Sequence, residues 1–507
     1  VVGYGTQRRR DLTGSIASVS EKEIKAVAVS SFDQSLQGRV AGVQVTNTSG
    51  RPGGGVSVRI RGANSISGGN EPLYVIDGFP IINDIAANDG GGVRGEFNPP
   101  NSALSALNPD DIVSIDVLKD ASATAIYGTR GANGVVIITT KRGKAGRSQV
   151  DVSMYTGVQT LQRKLDLLQT PDYVAFENEA RANATPAQPP LFPNPASVTT
   201  NTDWQDELFR AAPISNVNLS LSGGTERTRY AVSGNYFNQQ GIIQNSSFRR
   251  GSLRVNLDQR VSNRINVGVN LTAAFSVNNG ASTDAHGGGQ DGNGLTLFGV
   301  LKTPPAERAY TADGQLNRAS QITVDPFNNP LLAAFGFTDR TFTTNILANA
   351  FLDFQIANGL TLRLSGGGNL LNTKRNNYQE RSPLVSGALG GEASISAVFS
   401  PQWLSENTLT FSRTLGKHSL TVLGGFTAQK YLNERVFAGA RNFGSDITEY
   451  NNLLLGTTLL PSRSFTTDWS LASFLGRVNY AYADRYFLTA TVRADGSSRF
   501  GNDVKWG

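Results

Sequence analysis

Few residues in this chain of 507 could carry chemistry. It has no cysteine and only two histidines, His286 and His418, about 130 positions apart. A thiol nucleophile, a thiolate metal site, a disulfide framework and a histidine-based metal or acid/base cluster are therefore excluded or disfavoured. Gly287-Gly288-Gly289 with Asp291-Gly292-Asn293-Gly294 resembles a calcium loop faintly. It lacks the regular acidic ligands and closing glutamate of an EF-hand and is read as a flexible external loop. No phosphate-binding P-loop, nucleophile elbow or HExxH pair occurs. The formal net charge of +6, with arginine exceeding lysine, could point to nucleic acid. Arg8-Arg9-Arg10 is the only dense basic cluster, however, and the other charges are dispersed along polar strand faces and turns, as on a solvated lumen wall. Asp77 and Asp116 are expected to fix turns or pair with nearby arginines. The expectation is a protein that is not an enzyme and needs neither cofactor nor metal.

The elements that would position any site fall into two regimes. Before residue 146 the chain reads as a compact α/β unit. Val56 to Gly62 alternates with period two, and Leu73 to Ile76 is an apolar run closed by the turn pair Asp77-Gly78. Asn108 to Asp111 turns into the strand-like Ile112 to Leu118. Asp120 then caps a short helix over Ala121 to Tyr127, with Gly128 as its C′ residue. Gly134 to Thr140 is apolar on both faces and reads as a buried central strand. Ser31 to Gly38 is a further short helix, with Phe32 and Leu36 on one side.

After residue 146 helical periodicity largely gives way to about eleven stretches of 9–14 residues in which every second residue is apolar, centred near 154, 219, 233, 255, 270, 349, 365, 409, 424, 477 and 490. Taken singly, each fits the half-buried face of any antiparallel sheet. Their connections discriminate. Gly224 to Arg227, Val261 to Arg264, Ala357 to Gly359, Leu415 to Lys417 and Ala483 to Arg485 are tight hairpins. The alternate connections, about Thr160 to Pro213, Gln239 to Arg249, Asn278 to Thr341, Asn372 to Pro401 and Leu432 to Ser470, are longer. Short turns on one side and long loops on the other characterise an outer-membrane β-barrel. Tyr230, Tyr236 and Phe237, and Tyr480, Tyr482, Tyr486 and Phe487, lie near strand ends and are read as interfacial girdles. Eleven is odd, and lipid does not satisfy an open sheet edge. The chain is expected to be a fragment, or to be completed by another polypeptide.

A family likeness rests on particular residues. Val56-Ser57-Val58-Arg59-Ile60-Arg61-Gly62, Pro72-Leu73-Tyr74-Val75-Ile76-Asp77-Gly78-Phe79-Pro80, and Lys119-Asp120-Ala121-Ser122-Ala123-Thr124-Ala125-Ile126-Tyr127-Gly128 leading through Arg130-Gly131-Ala132-Asn133-Gly134 to Lys141 closely resemble the plug domain of SusC/RagA-type TonB-dependent outer-membrane transporters of the Bacteroidota. The motif positions are Arg59, Arg61, Gly62, Tyr74, Asp77, Gly78, Lys119, Tyr127, Gly128, Arg130 and Gly134. Arg493 to Phe500 with Lys505-Trp506-Gly507 resembles a segment about midway along that family's barrel.

The resemblance implies a membrane β-barrel of 22 strands, of which this chain would hold about eleven, around an N-terminal α/β plug in the lumen. The domains would be a TonB-box-like segment at 1–10, the plug at 11–146 and a partial barrel at 147–507. The family's carboxypeptidase-regulatory-like domain does not precede the plug in this sequence, and of the TonB-box context only Val1, Val2, Gly3, Tyr4 and Gly5 remain. The resemblance places contact with TonB there, by addition of a strand. It further implies ExbB and ExbD behind TonB, a SusD-like surface lipoprotein, outer-membrane lipid around the barrel, and an oligosaccharide or peptide as cargo, with no role for nucleic acid. Alternative readings are a passive adhesin or structural barrel, a soluble β-rich binding protein, and a TonB-dependent siderophore or vitamin receptor.

Overall fold

A strand that is apolar on both faces needs cover on both, whereas one that alternates can separate two environments. The computed structural model, which describes residues 16–27, 31–47, 49–62, 69–82, 104, 107–280, 296–318, 329–381, 390–483, 485–501 and 503–507, contains one sheet of each kind. The first is built from β1 (Ile16–Ser20), β4 (Leu73–Ile76), β5 (Phe79–Ile81), β6 (Ile112–Leu118) and β7 (Val135–Thr140), in the order β1-β6-β7-β4-β5. β2 (Val43–Asn47) and β3 (Val56–Ile60) form a separate antiparallel pair. β7 runs antiparallel to β6 and parallel to β4. Its Val135, Val136, Ile137 and Ile138 are all buried, as a central strand requires. β1 runs into a single helical turn, α1 (Glu21–Ile24), and the expected helix at residues 31–38 is a 3-10 turn, Phe32–Leu36, that buries both Phe32 and Leu36.

The expected helix after Asp120 differs in form. α2 covers only Ala121–Thr124 and passes into 3-10 geometry at Ala125–Gly131. Gly128 does not close it in the left-handed helical region. Its φ of 62° and ψ of −148° put a kink inside the run, and the chain then continues as a second turn. Asp120 starts α2 through its carbonyl, which accepts from Ala123 N and Thr124 N, while its side chain pairs with Arg61 at 2.5 Å.

The second sheet comprises β8 (Gly146–Gln159), β9 (Ala212–Gly224), β10 (Thr228–Gln240), β11 (Ser247–Arg260), β12 (Ile265–Gly280), β13 (Phe337–Ala357), β14 (Leu360–Gln379), β15 (Glu392–Leu415), β16 (His418–Phe443), β18 (Arg463–Tyr482) and β19 (Tyr486–Ser497). These eleven strands pair as consecutive antiparallel neighbours, and β17 (Gly456–Leu459) adds a short flap on β16. The architecture is an incomplete β-barrel wall with a plug against its inner face. All five tight hairpins fall at one end.

Three expectations about the wall need correction. β13 to β16 and β18 are 20 to 26 residues long, beyond the 9–14 in the alternation pattern. Their far ends continue the hydrogen-bonded ladder through residues such as Asn372 to Gln379, where the apolar period has stopped. The second of the long connections shrinks to residues 241–246. The longer loops carry helices that the alternation pattern does not show: α3 (Thr170–Ala182), α4 (Trp204–Leu208), α5 (Thr296–Lys302) and α6 (Pro330–Phe335). Trp204, Leu208, Val300, Leu331 and Ala334 join three of these into a small apolar cluster.

Candidate functional site

The plug meets the wall mainly through polar groups, and that seat is where a plugged barrel can act. At its centre is a hairpin turn. Ile76 pairs with Phe79, so Asp77-Gly78 is a two-residue loop with φ of 48° and 92°, the geometry of a type I′ turn. The turn aims Asp77 at the wall. Its Oδ2 accepts from Arg254 Nη2 of β11 at 2.8 Å and from Thr140 Oγ1 at 2.5 Å, while Thr140 N donates to Oδ1 at 3.1 Å. The Asp77 and Arg254 side chains are only 3% and 4% exposed. Burial alone would raise the Asp77 pKa, but the Arg254 charge and the Thr140 donors outweigh it and hold the carboxyl below its ordinary range.

Residues Leu107 to Asp111 form a second contact. Asn108 Nδ2 donates to Asn218 Oδ1 of β9, Asn216 Nδ2 to Asp110 Oδ2, and Ser233 Oγ of β10 to Asp111 Oδ1, at 2.9, 2.9 and 2.6 Å. Arg250 Nη1 donates to Leu107 O at 3.4 Å, and the Arg250 ring-facing cation sits 5.5 Å from the centroid of Phe237. Burial pushes the Asp111 carboxyl up despite the Ser233 donor.

The kinked helix supplies the third contact. Arg493 Nη1 of β19 donates to Ile126 O at 2.6 Å, Thr129 N donates to Asp495 Oδ2 at 3.4 Å, and Arg130 Nη1 donates to Gln429 Oε1 of β16. A Cβ on Gly128 would collide with Asp495 Oδ2 and stand 2.7 Å from Arg493 Nε, and its φ of +62° disfavours any other residue. Glycine is therefore needed here by the approach of the wall, not as a helix cap. Near the far end, Asn278 Nδ2 donates to Pro52 O at 2.9 Å, and Arg51 lies 3.7 Å from Asp339, which Arg375 holds through two bonds of 2.8 and 2.9 Å.

The motif positions do not form one site. Asp77, Gly78, Gly128 and Arg130 lie at the seat. Arg61 pairs with Asp120 and Lys119 Nζ donates to Ala41 O at 2.5 Å, both within the plug. Arg59 is exposed on β3, and Gly62 follows at φ 97°. Tyr74 packs edge-on against Phe32 with centroids 6.3 Å apart, and Tyr127 joins the core beside Val135 and Ile137. Gly134 packs against Ile60, whose Cδ1 would lie 2.7 Å from an added Cβ. Among the described residues Asp116 does not meet an arginine; it accepts from Ser18 Oγ and Ser114 Oγ, tying β1 to β6. Val1 to Gly5, Arg8 to Arg10, His286 and the Gly287 to Gly294 loop lie outside the described residues.

The reading of the lumen charges as solvated is corrected at the seat. Arg250 and Arg254 are 1% and 4% exposed, because the plug covers the face on which they stand. Phe237, placed in a girdle, faces inward and packs against Phe248, whereas Tyr236 faces out and is 52% exposed. The signal that could have found Arg250 and Arg254 is their shared parity on β11 with Asn256, across from the outward Leu253, Val255 and Leu257. Parity gives the face, but not what lies against it.

Residues 8–135 match the family profile of the TonB-dependent Receptor Plug Domain. The whole chain is 39% identical to TonB-dependent receptor P26 of Formosa agariphila and 31% identical to TonB-dependent receptor SusC of Bacteroides thetaiotaomicron, covering 49% of each. It thus spans about half the length of the curated relatives it matches. The fold superposes over 100% of the chain on the RagAB peptide importer in its open-open state, with a TM-score of 0.85 at 28% identity, covering 57% of that protein.

Proposed function

We propose, from the premise that this chain belongs to the SusC/RagA-type family of TonB-dependent outer-membrane transporters, that it is the plug and part of the barrel of an importer that moves an oligosaccharide or a peptide across the bacterial outer membrane. Its role is to bind, admit and release cargo, with no bond in the cargo broken. The peptide class draws support from the RagAB importer and the receptor class from SusC and P26.

One observation carries this reading: the seat is polar. A plug that only sealed a barrel would gain most from an apolar interface, whose separation exposes the full buried area to water. A plug that must leave and return is better served by hydrogen bonds, worth about 0.5–1.5 kcal/mol net or about 1.5–3 where a partner is charged, because water replaces them on opening. The pairs of Asp77 with Arg254, Asp111 with Ser233 and Asn108 with Asn218 are of that kind. TonB, energised by ExbB and ExbD, would engage Val1 to Gly5 by adding a strand and pull on β1, which is tied to β6 along its whole length. A SusD-like lipoprotein would cover the long-loop end.

The test is uptake of labelled oligosaccharide and labelled peptide by cells carrying the full-length protein, with and without residues Val1 to Gly5. The deletion is expected to abolish uptake while leaving the protein in the outer membrane. Uptake at the undeleted rate overturns the coupling, and the preferred label decides the cargo class.

A further inference from the structure

On four strands of the wall the outward apolar band ends, toward the long loops, in a cation. Along β11 the outward positions read Leu257, Val255, Leu253, Gly251 and then Arg249. Along β13 they read Ile346, Thr344, Phe342 and then Arg340; along β14, Leu370, Asn372 and then Lys374; along β16, Phe426, Ala428 and then Lys430. All four cations are exposed. β18 differs, its first outward charge being Asp468.

Next to Arg249 the wall is hollowed into an outward-opening cavity of about 550 Å³. That is within the ~300–1,000 Å³ range of small-molecule sites. Tyr236, outward and half exposed, lies at its lower side, where an interfacial aromatic belongs. Arg210 and Arg249 bring two guanidinium groups, and the amides of Asn238, Gln240 and Asn279 stand around them. Asn238 pairs across the sheet with Arg249, and Gln240 and Asn279 both pair with Ser247, so the polar groups come from three adjacent strands. Arg210 Nε donates to Gly241 O at 3.2 Å, which orients that guanidinium. No carboxylate is among the described residues that line the cavity.

We infer that this cavity holds the phosphorylated sugar headgroup of an outer-leaflet lipid. The inference rests on the outer-membrane placement and orientation of the wall, not on which cargo it carries. A phosphomonoester between Arg210 and Arg249 receives charge-assisted, forked hydrogen bonds that a lysine does not reproduce. The amides meet the hydroxyls of the sugar ring, and the acyl chains run down the outward face over Tyr236 and Leu253. Such a lipid would anchor the wall at the corner where the chain enters from the α4 loop.

The test uses the full-length protein in nanodiscs containing bis-phosphorylated lipid A, read by native mass spectrometry. Wild type is expected to retain lipid A, and the pair Arg210→Gln and Arg249→Gln to retain it at least about tenfold less, the scale of a lost charge-assisted contact. Arg210→Lys with Arg249→Lys should fall between the two, and Arg227→Gln at the opposite end of the wall should match wild type. Unchanged heat-modifiable gel mobility keeps each variant interpretable as a folded barrel. Equal retention by wild type and the double glutamine variant overturns the site, as does equal retention of dephosphorylated lipid A. Binding of inorganic phosphate without retention of lipid A overturns the lipid as the source of the phosphate.

Discussion

The interior of the plug and the seat of the plug are built from opposite materials. Inside, β7 presents Val135, Val136, Ile137 and Ile138 to apolar neighbours on both faces, and Tyr74, Phe32, Leu36 and Ile115 fill the rest. At the seat the buried groups are Asp77, Arg254, Asp111, Ser233, Asn108, Asn218 and Arg250, with Leu347, Leu404 and Phe248 of the wall as apolar exceptions. The difference teaches that the two can fail separately. Apolar packing is lost wholesale when opened, while polar contacts can be exchanged for water with little net change. A body with a cohesive interior and an exchangeable boundary can shift in its housing without first unfolding.

The comparison breaks most strongly from inside. Ile138→Asp puts an unpaired carboxylate at a fully buried position and should cost the plug about 4 kcal/mol or more, read as loss of its calorimetric transition and rapid proteolysis within an intact barrel. At the seat, Arg254→Ala leaves Asp77 buried without its cation, an effect of about 3 kcal/mol. It should raise ion leak in planar bilayers while the plug stays protease-resistant, and adding Asp77→Asn should recover part of the loss. If Arg254→Ala melts the plug as Ile138→Asp does, interior and seat are one cooperative unit and the distinction fails.

Acidity should separate Asp33 in the interior from Asp77 at the seat, with a smaller effect. Asp33 is wholly buried in the plug; burial outweighs the Ser31 hydroxyl and raises its pKa from 3.8 to about 6, and its Oδ2 has no hydrogen-bond partner among the described residues. The folded plug therefore keeps this proton where the unfolded chain has lost it. Its contribution to stability is present below about pH 4 and falls as pH rises to about 6, by up to roughly 3 kcal/mol. Asp111 is shifted in the same direction. Asp77 runs the other way: held low, it stabilises at neutral pH and loses that contribution as pH falls below the ordinary carboxylate range. Asp33→Asn should flatten the rise in plug melting temperature between pH 7 and pH 5, and an unchanged slope would assign it to other groups.

Much of the wall was legible locally. The alternation around Ile265 to Val277 and the short connections at Gly359 and Gly416 depend on neighbours within a few residues, and they placed all eleven strands. β7 was legible for the complementary reason, that a two-sided apolar run has only one kind of place to go. The strand ends were not legible, because Asn376 and Asn377 pair through backbone groups that side-chain pattern does not report.

The sequence alone carries the period: which residues share a face, where the chain turns, and that a compact α/β unit precedes an alternating sheet. Periodicity is a property of the backbone and is carried by adjacent residues. The cover on each face comes only from the folded chain. Arg254 reads as a solvated lumen charge until Asp77, 177 positions away, closes over it, and Phe237 reads as a girdle residue until Phe248 receives it from within. Arg249, on the other side of the same strand, is exposed. Burial is set by the partner surface, and no local pattern encodes the partner.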